Sequence, residues 1–176
     1  MLKGALGLVA GGLVGVDGEL AGVLLAMALL VTLAAITVTD VKHRLIPNRV
    51  LVLSAAVGVA ILAIADPGAL GERALAALAA FAVLGAVALA YPDGMGMGDV
   101  KLALVLGLYL GRAVAPAVLV AFAAGAAYGL FLIIRHGLEA RSRSVPFGPF
   151  LALGGVVGLF WGERIADWYL DGLSDG

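Results

Sequence analysis

Seven apolar stretches, separated by short polar breaks, take up nearly the whole of this chain and leave it little choice of fold. They run roughly from Leu2 to Val16, Leu20 to Thr39, Val50 to Ala65, Ala74 to Tyr91, Val100 to Leu110, Ala113 to Ile134 and Phe147 to Trp161. A helix needs about 20 apolar residues to cross about 30 Å of hydrocarbon. The second, fourth and sixth stretches meet or approach that length, and the others are short or marginal. Of the 176 residues 63% are hydrophobic and 13% charged, where a soluble domain carries about 25% charged residues. That leaves too little polar surface to cover a globule in water, so the bilayer is the natural solvent. The expected fold is all-α, a polytopic membrane bundle of about six to seven transmembrane helices. It forms a single domain over residues 1–176.

The breaks are turn formers: Asp17-Gly18-Glu19, Asp66-Pro67-Gly68, Pro92-Asp93-Gly94 and Gly111-Arg112. The 26 glycines are scattered through the apolar runs, where small residues let membrane helices approach closely. The first stretch follows Lys3 as a signal peptide would. It lacks an A-x-A cleavage site, so a retained helix is expected. Trp161, Trp168 and Tyr169 suit a membrane interface. The net charge of -1 contains no like-charged block for nucleic acid. With no Cys, the chain has no disulfide, thiolate metal site or Cys nucleophile.

Basic residues set the expected orientation. With the N-terminus inside and seven crossings, eight of the 11 basic residues face the cytoplasm: Lys3, Lys42, Arg44, Arg49, Lys101, Arg135, Arg141 and Arg143. The other three, Arg73, Arg112 and Arg164, face outward. This is the positive-inside pattern. It also brings Asp40, at the end of the second stretch, and Asp99, at the start of the fifth, to the same cytoplasmic surface.

Each aspartate has a plain structural reading. Asp40 could simply end a helix at the water interface, and Asp99 could cap the next one after a glycine-rich loop. An anion at a helix C-terminus is disfavoured, however, so Asp40 has no local reason to be there. Around Asp99, the glycines of Gly94-Met95-Gly96-Met97-Gly98 let a backbone approach closely. Two carboxylates brought together do not both ionise easily. One keeps a proton to donate, and the other takes a proton from an attacking water. Rival chemistry is scarce, because His43 and His136 are the only imidazoles and read as solvated interfacial side chains. They make poor partners for a Ser triad or a metal cluster, and no metal or cofactor is expected. Val145-Pro146-Phe147-Gly148-Pro149-Phe150 opens the last stretch. It reads as a turn into a helix or as a rim element of the same cavity.

Three segments together resemble the type IV prepilin peptidase family. Asp40 followed by Ile46-Pro47-Asn48 is similar to its first catalytic motif, and Gly96-Met97-Gly98-Asp99-Val100-Lys101-Leu102 to its G-x-G-D motif. Pro146-Phe147-Gly148-Pro149-Phe150-Leu151-Ala152 is similar to its C-terminal segment. The resemblance implies an aspartic-type endopeptidase of the inner membrane, with its site facing the cytoplasm. Such enzymes cut the short basic leader from type IV pilin-like precursors. The catalytic residues would be Asp40 and Asp99. Gly96, Gly98, Lys101, Pro47, Asn48, Pro146, Phe147, Gly148 and Pro149 would contact substrate, and the other partner is the lipid bilayer. Many bacterial members add a domain with paired Cys motifs and N-methylate the new terminus. This chain lacks Cys and has a short segment before Leu20, so methylation is not expected. The compact form is similar to tight-adherence prepilin peptidases and archaeal preflagellin peptidases.

Two other readings use the same residues. Presenilin and signal-peptide-peptidase-like proteases also resemble the chain at Gly96 to Asp99. Their partner aspartate usually follows Tyr, whereas Asp40 follows Thr39. A small transporter could use Asp40 and Asp99 as an ion relay, but relay carboxylates usually lie near mid-membrane.

Overall fold

A computed structural model describes residues 19–92, 94–136 and 146–174. The described residues are helical with short connections: α1 (Glu19–His43), α2 (Asn48–Ala65), α3 (Leu70–Ala90), α4 (Met97–Leu110), α5 (Val114–His136) and α6 (Gly148–Ser174). Single 3-10 turns at Pro67–Ala69 and Gly111–Ala113 lead into α3 and α5. The protein is thus an all-α polytopic membrane protein. Four segments are long and apolar enough to cross a bilayer: Leu20–His43, Asn48–Ala65, Pro67–Ala90 and the 40-residue run Met97–His136. The first apolar stretch, Leu2 to Val16, lies outside the described residues, as do Arg141 and Arg143.

The helix ends differ from the apolar stretches because backbone pairing continues into polar residues. α1 runs on through His43, so Asp40 sits inside its last turn. α4 begins within the glycine loop, at Met97. It stops at Gly111, whose φ of 57° is costly for any residue with a Cβ. α6 extends past Trp161 to Ser174.

α4 forms the axis of the bundle and touches α1, α2, α3, α5 and α6. Val100, Leu102, Ala103, Val105, Leu106, Tyr109 and Leu110 are all buried, so α4 has almost no lipid-facing side. α3 lies antiparallel against it. Gly85 meets Val100 at one end, and Gly107 meets the Ala77 backbone further along. α2 runs parallel to α4, with Asn48 beside Lys101 and Gly58 against the Tyr109 ring. The last pair is antiparallel and zipped by small residues. Gly154, Gly158 and Gly162 of α6 lie on Ala113, Ala117 and Ala121 of α5 and its leading turn. Lipid is as apolar as Leu, so close backbone approach and interhelical hydrogen bonds hold such helices together.

The hydrogen bonds sit where three helices meet. Tyr109 donates its hydroxyl to the Ser54 carbonyl at 2.7 Å, and Thr32 donates to Ser54 Oγ at 2.9 Å. This fixes α1, α2 and α4 in one register. At the far end, buried Arg73 of α3 donates to the Tyr109 carbonyl and so satisfies an acceptor in the last turn of α4. The exposed Arg112 meets Glu163 at 3.2 Å and Asp167 at 3.4 Å.

Candidate active site

Four helix ends converge at one end of the bundle: the end of α1 and the starts of α2, α4 and α6. Asp40 and Asp99 line one cavity of about 320 Å³ together with Arg44, Leu45, Ile46, Asn48, Gly96, Met97, Gly98 and Lys101. The two aspartates, far apart in sequence, are therefore neighbours in space. Both are buried, Asp40 to 6% and Asp99 to 7% exposure, which is rare for Asp unless it has partners or a task.

The partners come from backbone. Asp40 Oδ2 accepts the Gly148 N–H at 3.0 Å. That amide opens α6, so the positive end of one helix offsets the unfavourable end of another. A Cβ added at position 148 would lie 2.5 Å from Asp40 Oδ2, so the carboxyl or the helix start would have to shift. Asp99 Oδ2 accepts the Gly96 N–H at 3.2 Å, closing the first turn of α4. Asp99 Oδ1 is buried with no hydrogen-bond partner among the described residues. A buried polar atom left unpaired is costly, and here it belongs to a cavity-lining carboxyl.

The glycines of the loop have different surroundings. A Cβ at Gly96 would meet Asp99 Oδ2 at 3.5 Å and the Gly98 amide nitrogen at 3.9 Å, both ordinary contacts, so there is room beside it. A Cβ at Gly98 would lie 2.9 Å from Ile46 Cβ. Gly98 thus lets the α1–α2 connection clasp the start of α4. Lys101 donates to Asn48 Oδ1 at 3.0 Å across the same seam. Pro47 precedes α2 as its N-cap residue, with φ −68°, and does not line the cavity.

In the last motif only Gly148 touches an aspartate. Pro146, Phe147 and Pro149 do not line the cavity. Phe147 packs on Phe122 with tilted rings whose centroids are 5.4 Å apart, and Phe150 packs likewise on Tyr128 at 5.6 Å. This aromatic cluster anchors the start of α6 on α5 and holds the Gly148 amide in place. Sequence reasoning missed Arg44, Leu45, Ile46 and Met97 as cavity residues. Ile46 was visible beside Pro47 and Asn48. Arg44 gave no signal, because its place depends on a left-handed backbone with φ 51°. No group of three His, Asp or Glu that could hold a metal occurs among the described residues.

A model of the type IV leader peptidase family matches residues 27–130, more than half of the chain and both aspartates. The chain belongs to the type IV leader peptidase family. Proteins named prepilin leader peptidase/N-methyltransferase are among its relatives. That of Aeromonas salmonicida is 34% identical over 155 residues, covering 85% of this chain and 53% of that protein. That of Bacillus subtilis is 31% identical over 157 residues, covering 89% of this chain and 62% of its own length. That of Pseudomonas aeruginosa is 37% identical over 79 residues, covering 44% and 27%. This leader peptidase family member spans about half the length of the A. salmonicida relative. No solved structure matches it.

Proposed function

We propose that this chain is an aspartyl endopeptidase that removes the short basic leader from type IV pilin-like precursors at the cytoplasmic face of the inner membrane. The observation that carries this reading is the convergence of Asp40 and Asp99 on one cavity, with Asp99 Oδ1 unpaired. Water held between the carboxyls is the nucleophile. One carboxylate takes a proton from it as its oxygen bonds to the scissile carbonyl carbon. The other carboxyl gives its proton to the carbonyl oxygen. The tetrahedral intermediate then collapses, the C–N bond breaks, and the leaving amine carries away a proton from the pair. Gly96, Gly98, Lys101, Asn48 and Gly148 surround the substrate segment. Pro47, Pro146, Phe147 and Pro149 act at one remove, by setting the loop and helix ends that bear them.

The cytoplasmic placement rests on charge. Lys42, Arg44, Arg49 and Lys101 gather at the cavity end, while Arg73 and Arg112 sit at the other. The relatives carry a second activity in their names, N-methyltransferase. We assign this chain the peptidase step alone, since the cavity is built around two carboxyls. The test uses purified protein in bilayer discs, a panel of pilin-like precursors and a methyl donor. Mass spectrometry should find free leader and an unmethylated new terminus. Intact precursor across the panel would refute the peptidase reading, and a methylated product would refute the restriction to it.

A further inference from the structure

Resting on the peptidase reading, we infer that Tyr109 is a positioning residue for the catalytic pair: through Ser54 and Thr32 it sets the height of Asp99 on α4 against that of Asp40 on α1. The pair depends on such a device. Asp40 is held by the Gly148 amide and Asp99 by the Gly96 amide, so each carboxyl answers to a different part of the chain. Among the described residues no hydrogen bond joins the two. Their helices touch each other only lightly, and α2 packs against both. The spacing of the aspartates therefore rests on how α2 links α1 to α4.

Three buried hydroxyls make that link in the middle of the bundle. Thr32 of α1 donates to Ser54 Oγ at 2.9 Å, and Tyr109 of α4 donates to the Ser54 carbonyl at 2.7 Å. Ser54 Oγ donates in turn to the Tyr109 hydroxyl at 3.4 Å. Val, Ala and Phe of similar shape would fill the same core with no polar atom to satisfy. Nor does α2 need the bond from Tyr109, because the Ser54 carbonyl lies inside a helix whose own ladder supplies a donor. The seams of α3 with α4 and of α5 with α6 are made instead by small residues against backbone. The hydroxyls stand at the seam that joins the helices of the two aspartates. At about 1.5 Å per residue, Thr32 lies about 12 Å from Asp40 along α1, and Tyr109 about 15 Å from Asp99 along α4. Both spans are unbroken helix, so a slip at the hydroxyls is carried to the carboxyls. Tyr109 is itself gripped twice more, its ring against Gly58 and its carbonyl by Arg73.

The test reads rate, affinity and geometry separately. Tyr109→Phe keeps the ring and removes the tie, and kcat for leader release should fall about tenfold while KM stays within about twofold. Thr32→Val should do the same, and Thr32→Ser, which restores a hydroxyl, should recover most of that loss. The double variant Thr32→Val/Tyr109→Phe should be no slower than the worse single variant, because both cut one link. Spin labels on cysteines at the exposed positions of Lys42 and Met97 report the spacing of α1 and α4 without any substrate. Their distance distribution should shift or broaden by about 1 Å in Tyr109→Phe, the scale of misplacement that slows a reaction. Leu84→Ala, a change in the buried face of α3 away from the hydroxyls, is the control for stability. It should lower the melting temperature and spare both kcat and the label distance. Unchanged kcat in Tyr109→Phe, or an unchanged label distance, would overturn the inference. So would a rate loss that follows melting temperature alike in Leu84→Ala and the hydroxyl variants, since the tie would then be structural only. A rise in KM at constant kcat would place Tyr109 in substrate binding and refute the positioning role. If the parent protein cuts no precursor, the peptidase reading fails, and the label distances alone decide whether the hydroxyls set the spacing.

Discussion

Asp40 accepts the amide of Gly148 so closely that a Cβ at position 148 would press on its carboxyl. Gly148→Ala should therefore displace the Asp40 carboxyl or the start of α6, and cleavage should fall at least about tenfold, since small misplacements at reacting groups are costly. Gly129→Ala is the matched control, because nothing lies within 4 Å of a Cβ there. Gly125 would be a poor control, as its Cβ would meet Phe147 at 3.2 Å. Equal rates for Gly148→Ala and Gly129→Ala would show that the Asp40–Gly148 contact does not matter to the reaction. Asp40→Asn and Asp99→Asn keep size and polarity but cannot carry the proton. Each should lower leader release by about 10²–10⁴-fold while the protein stays folded in the membrane. Substantial cleavage by either variant would sink the paired-carboxyl mechanism. The two aspartates were legible in the sequence because acids flanking long apolar runs are conspicuous. Their partners were not: a backbone N–H contributed by Gly148 leaves no mark in side-chain chemistry. Gly98 lines the cavity, but its close contact with Ile46 was not legible, because it depends on how two loops fold together.

At the scale of helices, the apolar stretches located the elements well and their pairing poorly. Periodicity separates core from solvent in a soluble protein. Here lipid and core are equally apolar, so α4 carries no stripe to show that it is surrounded on all sides. Small residues are the better guide, though they mark contacts only once partners are known. Gly107 is the sharpest case, since a Cβ there would run into the Ala77 backbone of α3. Gly107→Ala should destabilise the bundle by about 1–3 kcal/mol, measured by denaturant unfolding in micelles. A change no larger than that of Gly129→Ala would show that α3 and α4 yield easily to each other. The expected short span over Val100 to Leu110 is a 14-residue helix from Met97, about 21 Å long against about 30 Å of hydrocarbon. Such a helix is tolerable because protein surrounds it and the cavity lies at its start.

Across the whole molecule, the convergence of four helix ends makes a topological demand. Lys42 and Met97 are exposed near the cavity, and Gly68 is exposed beyond the far end of α2. Single cysteines at these positions, in a chain with no native Cys, should label from the cytoplasm at 42 and 97 and from outside at 68. External labelling at 97 would refute the cytoplasmic site. The order in which the chain is made adds a consequence. The amide that Asp40 accepts belongs to α6, the last described helix to leave the ribosome. Until then α1 and α4 carry their aspartates in an unfinished cavity, and the glycines of α6 have not yet closed on α5. A chain stalled before Phe147 holds both acids and still lacks the donor that orients one of them. On the proposed mechanism a nascent copy would be inert among membrane-bound precursors, and competence would arrive with the helix that brings the Gly148 amide.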